Sequence, residues 1–244
     1  MNLQDKVIIV TGGTSGIGEA CSRHFSELGA KVAIASNQPQ AGAALADELA
    51  AAGRQVRFIE TDVSVEEDVE KLVDETLDAF GRIDCLHSNA GVWLEGTVKD
   101  FTEDDWQTMM GVNVKGNFLL LKHIVPVMEE QGKGVVLITT SVAAFVGFPA
   151  HALYCASKAA LEALIRCPWL LTMRVSYAWS GSARGPLTLR CCAPVAPGGI
   201  HRLMSCSRKW PRRFRCGVWA SPRTWPRRRL FCSATTLAIS TAAR

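Results

Sequence analysis

Along residues 1–165 the apolar positions fall into two alternating patterns. Short β-branched runs at 6–11, 31–35, 56–60, 83–87 and 134–139 predict buried strands. Between them lie stretches with apolar residues at helical spacing. These predict helices over 19–28, stopped by Gly29, over 40–52, closed by Gly53, over 65–80, ending at Gly81, and over 106–130. A last helical stretch contains YCASKAAL, 154–161. Strands that alternate with helices in this way predict a doubly wound, Rossmann-like parallel sheet of the α/β class. Ligands of such sheets bind outside the carboxyl ends of the strands. The residues just past each strand are therefore the first candidates for chemistry.

The first strand runs into TGGTSGIG, with Thr11, Gly12, Ser15, Gly16, Ile17 and Gly18. Strand, glycine-rich turn and helix is the setting in which backbone N–H groups and a helix N-terminus face a pyrophosphate. The second strand ends at Ser36 and Asn37. An acid there would hold a ribose 2′-OH, and an arginine would hold a 2′-phosphate. Neither is present, so NAD and NADP both stay open. Asp62 and Val63 follow the third strand; Asp62 is a candidate cap for the next helix, with Ser64 competing. Asn89, Ala90 and Gly91 follow the fourth strand. Asn113 sits inside an apolar helix, where an amide is poorly suited to burial and invites a polar role. The fifth strand delivers Ser141.

Tyr154 and Lys158 stand one helical turn apart on one face. A phenol has an ordinary pKa of about 10 and is a poor acid or base near neutrality. A cation nearby favours the phenolate, so this pair is a device for tyrosine acid–base chemistry. Alone, the pair also fits an amphipathic helix with a half-buried tyrosine and a solvated lysine.

Taken together, TGGTSGIG, Asp62, Asn89-Ala90-Gly91, Asn113, Ser141, Tyr154 and Lys158 resemble the classical short-chain dehydrogenase/reductase family in order and spacing, over residues 3–166. The resemblance implies NAD- or NADP-dependent interconversion of a secondary alcohol and a ketone. It implies Tyr154 as proton donor or acceptor, Lys158 lowering its pKa and holding the nicotinamide ribose, and Ser141 on the substrate oxygen. It further implies that Asn113 positions a water of a proton relay, that Asp62 approaches the adenine, and that residues 89–91 line the cofactor. Trp93, Phe145 and Phe148 are candidates to wall an apolar substrate. His87-Ser88 and Ser36-Asn37 depart from the family, which more often has an apolar-Asn pair and a cofactor-selecting residue there.

Composition changes the picture only at the far end. The net charge of +4 conceals residues 1–166, with 13 Lys+Arg against 23 acids, and residues 167–244, with 14 Lys+Arg and no acid. Those 78 residues also hold six of nine Cys, five of seven Trp and seven of ten Pro. A basic tail of this size is a feature of nucleic-acid binding. A reading-frame shift near Cys167 explains it better. In the alternative frame, 168–174 permits LALDYA, 181–194 permits VCPGAIDTPMLRA, and 219–228 permits GEPEDVAE, which restores the missing acids. The division expected is 1–166 as dinucleotide and catalytic region, and 167–244 as a tail lacking the sixth strand, the substrate loop and the usual oligomer interface. Such a chain is expected to be aggregation-prone and inactive. No leader is visible, and no apolar run reaches the length of a membrane span, so a cytoplasmic protein without a membrane partner is expected. The partner expected is a small alcohol or carbonyl compound, with nucleic acid disfavoured. No metal is expected, because His24, His123 and His151 look isolated. Cys21, Cys85 and Cys155 read as reduced thiols. A non-catalytic dinucleotide sensor is the remaining alternative, but it has no need of Ser141, Tyr154, Lys158 and Asn113 together.

Overall fold

The structure is a computed structural model that describes residues 3–165 and 174–179. Six parallel strands form one sheet in the order β3-β2-β1-β4-β5-β6. They are β1 Val7–Thr11, β2 Lys31–Ser36, β3 Val56–Glu60, β4 Cys85–Ser88, β5 Val135–Thr140 and β6 Arg174–Trp179. The helices are α1 Gly16–Glu27, α2 Pro39–Ala51, α3 Glu66–Phe80, α4 Glu103–Met110, α5 Gly116–Glu130 and α6 Ala152–Ile165. The order reverses between β1 and β4, which makes this the doubly wound sheet expected from the sequence.

The strand pattern decides which helix goes where. Ile8, Val10, Val32 and Ile34 point to one face, where Cys21 and Phe25 of α1 and Leu45 and Leu49 of α2 cover them. Ile9, Ala33, Ala35, Leu86, Val136 and Ile138 point to the other, under α3, α5 and α6. Both faces being covered, all of β1 and every residue of β2 after Lys31 are buried, and the strands read as apolar runs rather than as an alternation.

Three expectations are corrected. Helix α1 begins at Gly16, three residues earlier than its apolar pattern, because the glycines form its first turn. The long helix of 106–130 starts at Glu103, where Thr102 and Asp105 make a reciprocal capping box, and it is interrupted by a π turn over Gly111–Lys115. In that turn the Gly116 N–H reaches back five residues to the Gly111 carbonyl. Finally, the sixth strand expected to be missing is present: β6 pairs with the whole of β5, from Val135↔Arg174 to Thr140↔Trp179. Its sequence is RVSYAW. The rest of the tail, with its expected frame change and loss of the interface, lies outside the described residues. Among the described residues no helix is long and apolar enough to cross a membrane.

Candidate functional site

The site lies at the carboxyl ends of β1, β4 and β5, and three loops build it. After β1, Gly12 and Gly16 adopt φ of +61° and +53°, a region glycine enters without strain. Ser15 caps α1 in extended conformation, yet its side chain makes no capping hydrogen bond, so no side chain covers the first-turn N–H groups. After β4, Asn89 ties this turn down. Its Nδ2 donates to the carbonyls of Thr11 (3.3 Å) and Gly12 (3.5 Å), and Thr11 Oγ1 accepts from the N–H groups of Asn89 and Ala90. After β5 come Ser141 and the short 3-10 turn Val142–Ala144, which Ser141 caps through the Ala143 N–H.

Helix α6 brings Tyr154 and Lys158 over this floor. Lys158 is buried and donates to the Thr139 carbonyl at 3.0 Å. Its Nζ lies 5.7 Å from the centre of the Tyr154 ring. Burial brings its pKa down to about 8. Burial pushes the Tyr154 phenol up, against a hydrogen bond with Ser141 that pulls it down. The expected lowering of Tyr154 by Lys158 is therefore not what the chain by itself displays. The ammonium spends a hydrogen bond on a backbone carbonyl and is itself desolvated.

A cavity of about 270 Å³ joins the glycine turn to Tyr154 and Lys158. Of the residues singled out in the sequence, Gly12, Ser15, Gly16, Ile17, Asn89, Ala90, Gly91, Trp93, Tyr154 and Lys158 line it. The others stand behind or beside it. Gly18 is buried beneath the Gly12 carbonyl, and Val63 belongs to the core under α3. Ser36 is buried with its hydroxyl 2.8 Å from Thr14 Oγ1, while Asn37 is exposed. Asp62 Oδ1 accepts from the Ser64 N–H and hydroxyl in a turn ahead of α3; the N-cap of α3 is Val65, with no side-chain bond, so neither Asp62 nor Ser64 takes the capping role expected of them. Asn113 is fully buried in the π turn. Its Oδ1 accepts from the Val92 N–H at 2.8 Å, and its Nδ2 donates to Val92 O and Ser157 Oγ at 2.9 and 3.0 Å. The polar role inferred for it is thus real, with both amide hydrogens already committed.

Four features escaped the sequence. Thr139 bonds to Lys158, His87 and Asn89 at once; its place at the end of β5 was the available signal. Val92 meets Asn113 through its backbone, which leaves no trace in sequence. Trp93 stacks on His151 at 5.3 Å, and Phe148 lies 6.1 Å from the same ring. The histidines are not isolated either: His123 meets Glu66 at 2.9 Å and Glu70 at 3.8 Å, while the Lys122 ammonium holds the same Glu66 oxygen. Burial pushes the Cys21 and Cys85 thiols up to about 11 and about 12, which keeps both inert.

His87 carries a pH consequence. Burial lowers its pKa to about 4. The unfolded chain titrates this ring near 6.5, so between the two values the unfolded state binds more protons, and stability falls as pH falls. The loss is complete below pH 4 and amounts to about 3 kcal/mol. Denaturant titrations at pH 7, 5 and 4 should show this slope, and His87→Gln should remove it; equal slopes for both proteins would refute it.

The glycine turn would leave room for a dinucleotide. A Cβ at Gly16 would meet nothing within 4 Å, whereas one at Gly91 would sit 3.3 Å from Asn113 Oδ1 and 3.6 Å from Lys158 Nζ, crowding the cavity. Sheet order and glycine turn together have the architecture of a dinucleotide-binding α/β protein.

The comparisons agree. The family model for short chain dehydrogenase matches residues 6–170. An uncharacterized oxidoreductase of Thermotoga maritima is 41% identical over 166 residues, which are 68% of this chain and 65% of that one. A tropinone reductase-like protein of Erythroxylum coca is 41% identical over 170 residues, covering 67% and 61%. A short chain dehydrogenase/reductase of Burkholderia phymatum, solved in complex with NAD, superposes with a TM-score of 0.70 at 31% identity, covering 73% of this chain and 66% of that one. The chain belongs to the short chain dehydrogenase family. It spans just under two thirds of the length of these curated relatives.

Proposed function

We propose that this chain carries the site of an NAD(P)-dependent oxidoreductase that interconverts a secondary alcohol and a ketone, with Tyr154 as the general acid and base. The observation that supports this most is the meeting of Tyr154, Lys158 and the glycine turn in one cavity. The nicotinamide supplies the hydride when bound; the protein orients, excludes water and moves a proton. Gly12, Ser15, Gly16 and Ile17, with the uncapped first turn of α1, would hold the pyrophosphate. Asn89, Ala90 and Gly91 would line the ribose side, and Asp62 and Val63 the adenine side. Ser36 and Asn37 would flank the adenosine ribose. Tyr154 gives its phenolic proton to the carbonyl oxygen in reduction and takes it back in oxidation. Its raised pKa keeps that proton in place at neutral pH. Ser141 aligns the substrate oxygen through its hydroxyl, and Lys158 offers its remaining ammonium hydrogens to the ribose. Asn113 fastens the Val92 loop to α6; its Oδ1 retains one lone pair for the relay water. The tropinone reductase-like relative supports the carbonyl-reducing direction.

The tail bears on turnover. The segment after Arg166 that should complete the substrate side reads as frame-shifted, so the chain as written is expected to bind dinucleotide without turnover. A frame-restored chain is expected to oxidise NAD(P)H with a ketone from a mixed panel. Sequencing the gene around Cys167 decides the first point: a frame with no base gained or lost there would sink it. Cofactor choice has its own test. Asn37 is exposed at the end of β2 and uncharged. Asn37→Asp should favour NADH over NADPH by about tenfold or more, since a carboxylate repels the 2′-phosphate, and Asn37→Arg should do the reverse. Fluorescence titration of both cofactors reads the ratio; an unchanged ratio in both variants would place the selecting group elsewhere.

A further inference from the structure

Thr139 closes β5 and works in two directions. Its carbonyl accepts Lys158, and its hydroxyl lies 3.2 Å from His87 Nε2 and 3.1 Å from Asn89 Oδ1. A hydroxyl has one hydrogen to give. Asn89 Nδ2 faces two carbonyl oxygens, of Thr11 and Gly12, which fixes the amide's orientation and leaves Oδ1 only to accept. Thr139 must therefore donate to Asn89, and it can meet His87 only as an acceptor. His87 is consequently the Nε2–H tautomer. Its Nδ1 is then a bare lone pair, buried and without a partner among the described residues. The ring is 1% exposed and sits edge-on to Phe25, so nothing stabilises a second proton. Keeping an unsatisfied buried nitrogen in the middle of the sheet costs stability. The other nitrogen of that ring has a use that offsets it.

We propose that His87 is a positioning residue of the cofactor cradle. Its Nε2–H orients Thr139, Thr139 orients Asn89, and Asn89 pins the Thr11–Gly12 turn where a dinucleotide pyrophosphate is read. The chain of hydrogen bonds runs one way, from the middle of the sheet to the glycine loop, and it touches Lys158 through the same threonine. The role rests on the dinucleotide reading of this site.

The test uses the full chain. In histidine labelled with ¹⁵N, long-range correlation spectra should report His87 as neutral and protonated at Nε2; a proton on Nδ1 would overturn the proposal whatever the cofactor does. NADH and NADPH affinities are then compared in three variants. The glutamine amide nitrogen stands near the place of Nε2, and the asparagine amide nitrogen near that of Nδ1. His87→Gln should keep the dissociation constant of the preferred cofactor within about threefold, while His87→Asn and His87→Leu should raise it about tenfold, the worth of one hydrogen bond. Amide exchange over residues 11–18 should quicken in the same two variants. If affinity merely follows melting temperature across the three, the residue is packing and the proposal fails. Should His87→Leu not fold, the glutamine–asparagine contrast and the tautomer still decide. A native chain that binds neither cofactor would overturn the cradle itself; one that binds, and binds equally as His87→Leu, would overturn His87 alone.

Discussion

Tyr154→Phe in the frame-restored chain is expected to cut kcat/KM for ketone reduction by about 10²–10⁴-fold, the usual worth of a positioned general acid. Dinucleotide affinity should stay within about twofold, because the substitution removes one oxygen and leaves the ring in place. The pairing of these results is what matters. The phenol's hydrogen-bond partner among the described residues is the Ser141 hydroxyl, and Ser141 keeps its bond to the Ala143 N–H. Lys158 is anchored to Thr139 rather than to the phenol. The floor of the site should therefore survive. Because burial raises the Tyr154 pKa, the reduction rate should be flat around neutrality, and the reverse oxidation should climb with pH as the phenolate forms. Steady-state rates in both directions, with cofactor titration by fluorescence, read all of this. Turnover retained within tenfold would assign the proton to another group and leave a dinucleotide-binding protein with a misread tyrosine.

Gly18→Ala is the second large effect. Its new Cβ would press on the Gly12 carbonyl oxygen and lie 2.8 Å from the Gly12 carbonyl carbon and 2.7 Å from Asn89 Nδ2. Two of those atoms are backbone, so no side chain can swing away. The turn itself must move, and with it the Thr11 and Gly12 carbonyls that Asn89 holds. Overpacking of this kind costs about 3 kcal/mol, the upper end of its usual range, which lowers Tm by about 6–12 °C in a chain of this size. Cofactor affinity should fall by more than about tenfold, since the displaced atoms form the cradle. Gly16→Ala is the control. Nothing stands within 4 Å of its Cβ, and only its φ of +53° opposes the change; about 1 kcal/mol is expected. Calorimetry on both variants checks the order. Equal melting temperatures would mean that α1 does not pack on Gly12 as closely as this.

The layered part of the fold was legible because its cause is local. Ile8, Val10, Val32 and Ile34 alternate with Ile9, Ala33 and Ala35, and that alternation sorts the helices onto the two faces. Tyr154 and Lys158 were legible because four residues on a helix make one turn. Asn113 was legible only in part. An amide in an apolar helix announces a partner, but its partners are Val92, 21 residues away, and Ser157, 44 residues away. No periodicity points across such gaps. Thr102 and Asp105, by contrast, spell out the start of α4 three residues ahead of its apolar pattern. The strand at 174–179 has Val175, Tyr177 and Trp179 at alternate places, yet it was hidden between Pro168 and the arginine clusters that follow. The pKa of Tyr154 could not be read at all, because it depends on how far Lys158 is itself stripped of water.

The π turn at Gly111–Lys115 acts as a phase shift between two rotors. Each α-helical residue advances about 100° around the axis, so one extra residue in a turn offsets everything before it by that angle. Trp106 and Met109 ahead of the turn, and Leu120 and Ile124 behind it, are thereby set on faces that one regular helix could not offer them together. Met109 is fully buried by this arrangement. The length of 111–115 is thus a constraint separate from its composition. Losing a single residue there would restore a regular helix and leave Met109 near its present azimuth, while removing the widened turn that carries Asn113 to Val92.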